Sequence, residues 1–383
     1  MDDDHWADPY TLLGQLQRGR GIGVREALLT DGADALVVRC IERDSRWDRQ
    51  LEERGVYMAR LVTALAIPID AIGVNVTKPG FPCHMWFDTL VELAGGGSEA
   101  AARVLLRYVR DAAPEDDVAH LLARLWADGG AACRDGLETV ALSRLDDDAL
   151  RRVVRNDEPW TARRGIPRVA AAFEQRRTRR VAAIRSPRAK RSATADLDDR
   201  TLLGMAHEPL HSDERAAAFR ELGRRGNTAL LDIAELPELR NSSGFVTYLA
   251  PVVLGFGGNA LPRARAWLGS GDEYLVRLGE TVIAEHGEVQ DGPALLGAFE
   301  VAVADDDWLH TEPIARGLGR VGYEASIRSI VDAWAVTKHS HARAAYLEAL
   351  AGLRASGLGL LRDEALDDCE SEVRDLARVD RAR

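Results

Sequence analysis

Aromatic side chains are scarce. Phe, Trp and Tyr make up 6% of the 383 residues. Strands favour aromatic and β-branched residues, whereas Ala and Leu, which dominate here, are strong helix formers. A β-sandwich is therefore unexpected. Cysteine is also sparse. Cys40, Cys83, Cys133 and Cys369 stand far apart, with neither metal-site spacing nor the density of a disulfide framework. The longest apolar run, Phe245 to Gly258, contains Pro251 and is too short to span a bilayer. The first residues, Met-Asp-Asp-Asp-His-Trp, lack the apolar region of a secretory signal. Lysine is nearly missing: of 50 basic side chains, only Lys78, Lys190 and Lys338 are not Arg. A skew that broad follows genome composition, so arginine content alone argues for no role. The 61 acidic side chains leave a net charge of −11, which is not the bulk charge of a general nucleic-acid binder. These features lead to the expectation of a cytoplasmic globular protein with no membrane association, metal or cofactor.

What the chain does have is periodicity. Arg316, Arg343 and Arg374 recur at intervals of 27 and 31 residues, and Leu-Gly pairs fall at 222–223, 278–279 and 318–319. Periods of about 20–50 residues mark helical hairpins that bury their apolar faces only against neighbours. Within 305–334, Ile314, Leu318 and Val321 share one helical face, and Ile327, Ile330, Val331 and Trp334 share the next. Glu312-Pro313 is expected to open the first of these helices, with Pro in the first turn. Gly322 is expected to close it at a position that wants φ > 0.

Four segments, Ser212 to Gly223, 312–334, 341–352 and 369–377, carry an early Arg among small apolar residues, three of them after an acidic start and two with Leu-Gly. This pattern resembles HEAT-type repeats. The resemblance implies an all-α fold, an α-solenoid of degenerate helical hairpins, used as a binding scaffold. One HEAT-like group, the alkylpurine DNA glycosylases, sets Trp and Asp residues of a basic groove against a damaged nucleotide. The likeness to them is architectural. Their Trp and Asp four apart is not reproduced; Trp308 and Glu312 come nearest, with Glu in place of Asp.

Composition shifts in the middle. Residues 151–191 carry thirteen Arg and Lys190 against Asp157, Glu158 and Glu174, a local charge of +11 that leaves −22 on the remainder. The expected organisation is an N-terminal helical array over 1–185 ending in an Arg-rich helix, a linker at 186–195, and a HEAT-like array over 196–383. Ile166-Pro167 opens the Arg-rich helix, and Asp146-Asp-Asp148 starts the helix before it. Arg163, Arg164, Arg168, Arg176, Arg177, Arg179 and Arg180 form the candidate surface for a protein partner or for nucleic acid, since guanidinium binds carboxylate and phosphate bidentately. The bland alternative is that they pair with the chain's own carboxylates.

Other motifs carry less. His207-Glu-Pro-Leu-His211 matches H-E-x-x-H, but Pro209 breaks the continuous helix a zincin needs. Arg18-Gly-Arg-Gly-Ile-Gly23 reads as a tight turn rather than a phosphate loop, since no strand precedes it. His339-Ser-His341 is expected in a turn between helices. No catalytic set assembles. The leading expectation is a non-catalytic scaffold that binds a protein; the alternative is nucleic-acid binding or DNA repair through the 151–191 arginines.

Overall fold

The computed structural model describes residues 6–48, 52–73, 84–111, 113–127, 134–154, 158–183, 194–207, 213–236 and 245–379. The described residues are all-helical, with no strand among them. None of their helices is long and apolar enough to cross a membrane.

The first twelve helices are α1 (Leu12–Gln17), α2 (Gly21–Ala27), α3 (Ala33–Arg43), α4 (Arg54–Ala64), α5 (Ile69–Gly73), α6 (His84–Gly95), α7 (Glu99–Asp111), α8 (Glu115–Ala127), α9 (Arg134–Arg144), α10 (Asp147–Val153), α11 (Glu158–Thr161) and α12 (Pro167–Ala183). Then come α13 (Asp199–Ala206), α14 (Asp213–Arg224), α15 (Ala229–Ala234), α16 (Phe245–Gly255), α17 (Leu261–Trp267) and α18 (Glu273–His286). The last six are α19 (Gly292–Ala304), α20 (Trp308–Val321), α21 (Ile327–Val336), α22 (Ala342–Gly352), α23 (Leu358–Ala365) and α24 (Ser371–Val379). They divide into two compact units. The first takes the chain up to Ala182, then Lys338–His341, then everything from Leu360; the second takes Ala183–Thr337 and Ala342–Gly359. Residues 338–341 and 360–379, which the sequence reading places in a C-terminal array, group with the N-terminal helices.

In the first unit, α4 packs on α6, and α6 on α7 and α8. The reason is periodic: α7 buries Ala101, Leu105, Tyr108 and Val109, the i, i+4, i+7, i+8 stripe of an amphipathic helix. Edge-to-face ring pairs fill the larger gaps, Trp86 on Tyr108 at 4.9 Å and Trp126 on Trp160 at 4.9 Å. Asp146 caps α10 through a 2.7 Å bond from the Ala149 N–H, as its side chain predicts.

The returning segments reach the first unit through a buried polar clasp. Glu52 and Arg54 at the start of α4 are fully buried and pair at 3.1 Å. The Ser340 N–H donates to Glu52 at 3.1 Å, and Arg54 donates to the Lys338 carbonyl at 3.3 Å. The Ser340 hydroxyl donates to Glu370. Nearby, Arg20 and Glu364 form a second buried pair at 2.8 Å. His339-Ser-His341 lies between α21 and α22 as expected, but His339 and Ser340 are wholly buried, with His339 Nδ1 3.3 Å from Glu52. Of the Gly-rich run, Arg18 to Arg20 make the turn, with Gly19 at φ +67 and its carbonyl accepting from the Cys369 N–H at 2.9 Å, and Gly21 to Gly23 open α2.

In the second unit, α14, α16, α18, α20 and α22 form a row, each packing on the next. α13, α17, α19 and α21 each pack on the row helix that follows them in sequence. α18 shows why: Leu275, Leu278, Gly279, Val282 and Ile283 are buried at helical spacing. Gly322 ends α20 at φ 72, and the Tyr323 N–H reaches back to the Leu318 carbonyl, the expected left-handed cap. The start of α20 needs correction. The helix begins at Trp308, and Pro313 lies inside it. Trp308 is 2% exposed, so the core holds the additional turn that the Pro signal argues against. Arg316 consequently sits beyond the first turn and is exposed, whereas Arg343 and Arg374 lie near their helix starts and are buried. The three periodic arginines do not occupy equivalent places.

Candidate functional site

Helix C-termini leave carbonyls without intrahelical donors, and cations are favoured there. Many of the chain's arginines answer that need. Arg144 Nε donates to the Val109 carbonyl near the end of α7 at 3.0 Å, and Arg215 Nε to Ala206, the last residue of α13, at 3.2 Å. Arg320 reaches Ala284 at 3.0 Å and Gly287 at 2.9 Å at the end of α18. Arg168, one of the expected binding arginines, does the same for α9: it donates to the carbonyls of Leu142 and Leu145 and pairs with Asp147 at 3.0 Å. Arg164 lies over the Phe173 ring, 4.3 Å from its centroid, and Arg163 is half-buried. Arg176, Arg177, Arg179 and Arg180 follow on the same helix, α12; their side chains lie outside the described residues. His207 caps the end of α13, its Nδ1 2.7 Å from the Leu203 carbonyl, while residues 208–211 of the H-E-x-x-H match lie outside the described residues. Among the described residues, no group of three His, Cys, Asp or Glu side chains is placed to hold a metal.

A more open site lies along the row of the second unit. A groove of about 560 Å³ runs over α18, α20 and α22. Its buried lining is small: Ala284 and Ala349, with Gly319 and Gly352 beside them. The row packs closely because of such residues. A Cβ on Gly317 would stand 2.6 Å from the Ala284 Cα, and one on Gly319 2.6 Å from the Ala349 Cα. Where backbones meet without side chains between them, the surface above is left as a channel. Charges of both signs line its exposed part: Glu285, Arg316, Arg320 and Glu348, with Arg316 and Glu348 pairing across α20 and α22 at 2.7 Å. Sequence reasoning missed this groove. Its signal was present in small residues recurring about a repeat apart, Ala284 with Gly317 and Gly319 with Ala349.

The first unit carries a charged cleft of about 370 Å³. Asp44 at the end of α3 holds Arg46 by two bonds of 2.8 Å. Arg46 reaches Asp88 on α6 at 2.7 Å, and His120 Nε2 on α8 stands 3.1 Å from the other Asp88 oxygen. Burial pushes the Asp88 pKa up, but hydrogen bonds and charge from His120 and Arg46 outweigh it, and the carboxyl is held below its usual value. A depressed carboxyl pKa adds stability above the unfolded value near 4, and that stability is lost as pH falls through the folded value. Asp88→Asn is expected to cost about 2 kcal/mol at pH 7 and progressively less below about pH 4. Urea midpoints of the two proteins at pH 7 and pH 3 check it; a gap that stays constant with pH would count against the linkage.

No family model, curated protein or solved structure matches this chain.

Proposed function

We propose that the chain is a non-catalytic α-solenoid scaffold of degenerate HEAT-like hairpins, and that the groove along α18, α20 and α22 takes a helical segment of a protein partner. The observation that carries this reading is the groove itself, with its small-residue lining along packed helices. Small residues admit the close approach of a second backbone, and a partner helix would lay an apolar stripe against Ala284, Gly319 and Ala349. Of the charges at the exposed part, Arg320 is committed to the end of α18 and Arg316 to Glu348, so Glu285 would bias the partner's register rather than its affinity. The expected binding arginines support the scaffold reading less: Arg168 is committed to α9 and Asp147.

The test places a photo-crosslinking amino acid at Glu285 or Glu348, with Gly297 on α19 as the control position. A discrete protein adduct is expected from the groove positions and not from the control. Thr281→Trp, which fills the groove from a half-buried lining position, should lower the yield at least about tenfold. Adducts indifferent to Thr281→Trp would overturn the proposal. So would salt-steep DNA binding that vanishes when Arg176, Arg177, Arg179 and Arg180 are all changed to Ala, which would favour the nucleic-acid alternative.

A further inference from the structure

A second groove lies within the first unit, along α4, α5, the end of α6 and the start of α7. Its volume is about 820 Å³, within the usual range for small-molecule sites. Val56, Val62, Ile67, Ile69 and Leu93 give it apolar walls, and Arg60 lines it as well. Every other polar side chain on the wall has a partner. The Thr63 hydroxyl donates to the Ala59 carbonyl at 2.9 Å, Ser98 accepts from the Ala101 N–H at 3.3 Å, and Glu92 pairs with Arg124. Arg60 alone of these has no hydrogen bond or ion pair among the described residues. Arg374, Arg378 and Asp367 act on it, and each of the three has its own partner: Glu53 at 3.8 Å, Asp375 at 2.8 Å and Arg25 at 3.2 Å. Arg60 is exposed at the mouth of the groove, and partial burial and the two arginines lower its pKa without discharging it at neutral pH.

We infer that this groove binds a medium-chain aliphatic monocarboxylate, its carboxylate on Arg60 and its chain along Val56, Val62, Ile67, Ile69 and Leu93. Guanidinium and carboxylate match bidentately, and a single unpaired guanidinium suits one monoanionic head. A peptide fits less well. Each of its residues would bring an N–H and a C=O into a groove whose polar side chains are already engaged, and unpaired backbone groups are costly. An aliphatic chain makes no such demand.

The experiment is calorimetric titration of the full chain with decanoate and, separately, with decyltrimethylammonium, both below their micelle concentrations. Saturable decanoate binding is expected, with the cationic amphiphile at least about tenfold weaker. Arg60→Gln should weaken decanoate at least about tenfold. Ala64→Trp should do likewise by filling the groove from an exposed lining position, and thermal unfolding of both variants verifies that they fold. The inference is overturned by absent or non-saturable decanoate binding, by equal binding of both amphiphiles, or by variants that bind like the wild type. An acidic amphipathic peptide that binds through Arg60 where decanoate does not would overturn it in favour of a peptide site.

Discussion

Arg54→Ala is expected to destabilise the first unit by about 3–5 kcal/mol, the cost of breaking a buried ion pair from one side. Arg54 and Glu52 are both fully buried, so removing the guanidinium leaves a carboxylate inside the protein without its cation. The remaining partners of Glu52 are the Ser340 and Trp47 N–H groups and the His339 ring. These hydrogen bonds soften the loss but supply no fixed charge. The pair is not thereby a large net stabiliser, since two buried ions have lost their water. Glu52→Leu combined with Arg54→Met should recover much of the deficit, because both desolvation costs vanish together. Urea unfolding followed by hydrogen exchange reads both changes. The single variant should lose protection in α4 and in α24, since Glu53 at the foot of α4 also accepts from the Ser371 N–H at 3.2 Å. A single-variant loss under about 1 kcal/mol would mean that water reaches the clasp.

Gly317→Val should cost about 3 kcal/mol, the upper part of the range for overpacking a close contact. The new Cβ would meet the Cα, Cβ and carbonyl oxygen of Ala284 at 2.6–2.8 Å. Those are mostly backbone atoms, so relief requires moving α18 and α20 apart rather than turning a side chain. The contrast is Gly297 on α19, where an added Cβ meets nothing within 4 Å. Gly297→Ala should stabilise the chain by about 0.5–1 kcal/mol, since Ala restricts the unfolded chain and favours helix. Thermal unfolding of the two variants side by side separates close packing from helix propensity. Equal effects would show that the α18–α20 contact is looser than it stands.

Much of the local structure was legible in the sequence. Asp146, Ile166-Pro167 and Gly322 punctuate helices where their chemistry says they should, and Ile314, Leu318, Ile330 and Trp334 turn inward. These are short-range signals, set by hydrogen bonds within a turn or by apolar spacing along one helix. The misses share a different cause. Trp308 adds a turn to α20 because tertiary burial outweighs the Pro signal. The Arg316, Arg343 and Arg374 spacing looked like one repeated position, yet burial separates the first from the other two. The return of 338–341 and 360–379 to the first unit depends on Glu52, Arg54, Ser340 and Glu370 meeting across nearly the whole chain, and no periodicity encodes that. The second-unit groove was hidden because glycine and alanine register as helix weakness or helix propensity, not as a surface.

The discontinuous first unit also bears on how the chain is made. A ribosome delivers residues in order, and domains generally fold as they emerge. Here α1 to α12 leave before the second unit, but Glu52 meets Ser340 and Arg54 meets Lys338 only after more than 280 further residues, and Glu370 comes later still. The nascent chain must hold two charged side chains in water, with α4 unfinished, while most of the second unit is translated. Closing so long a loop is slow, and the waiting surface of α4 is the part most exposed to misassociation. Loss of α23 and α24 in a truncated product would therefore strand α1 to α12 rather than the second unit.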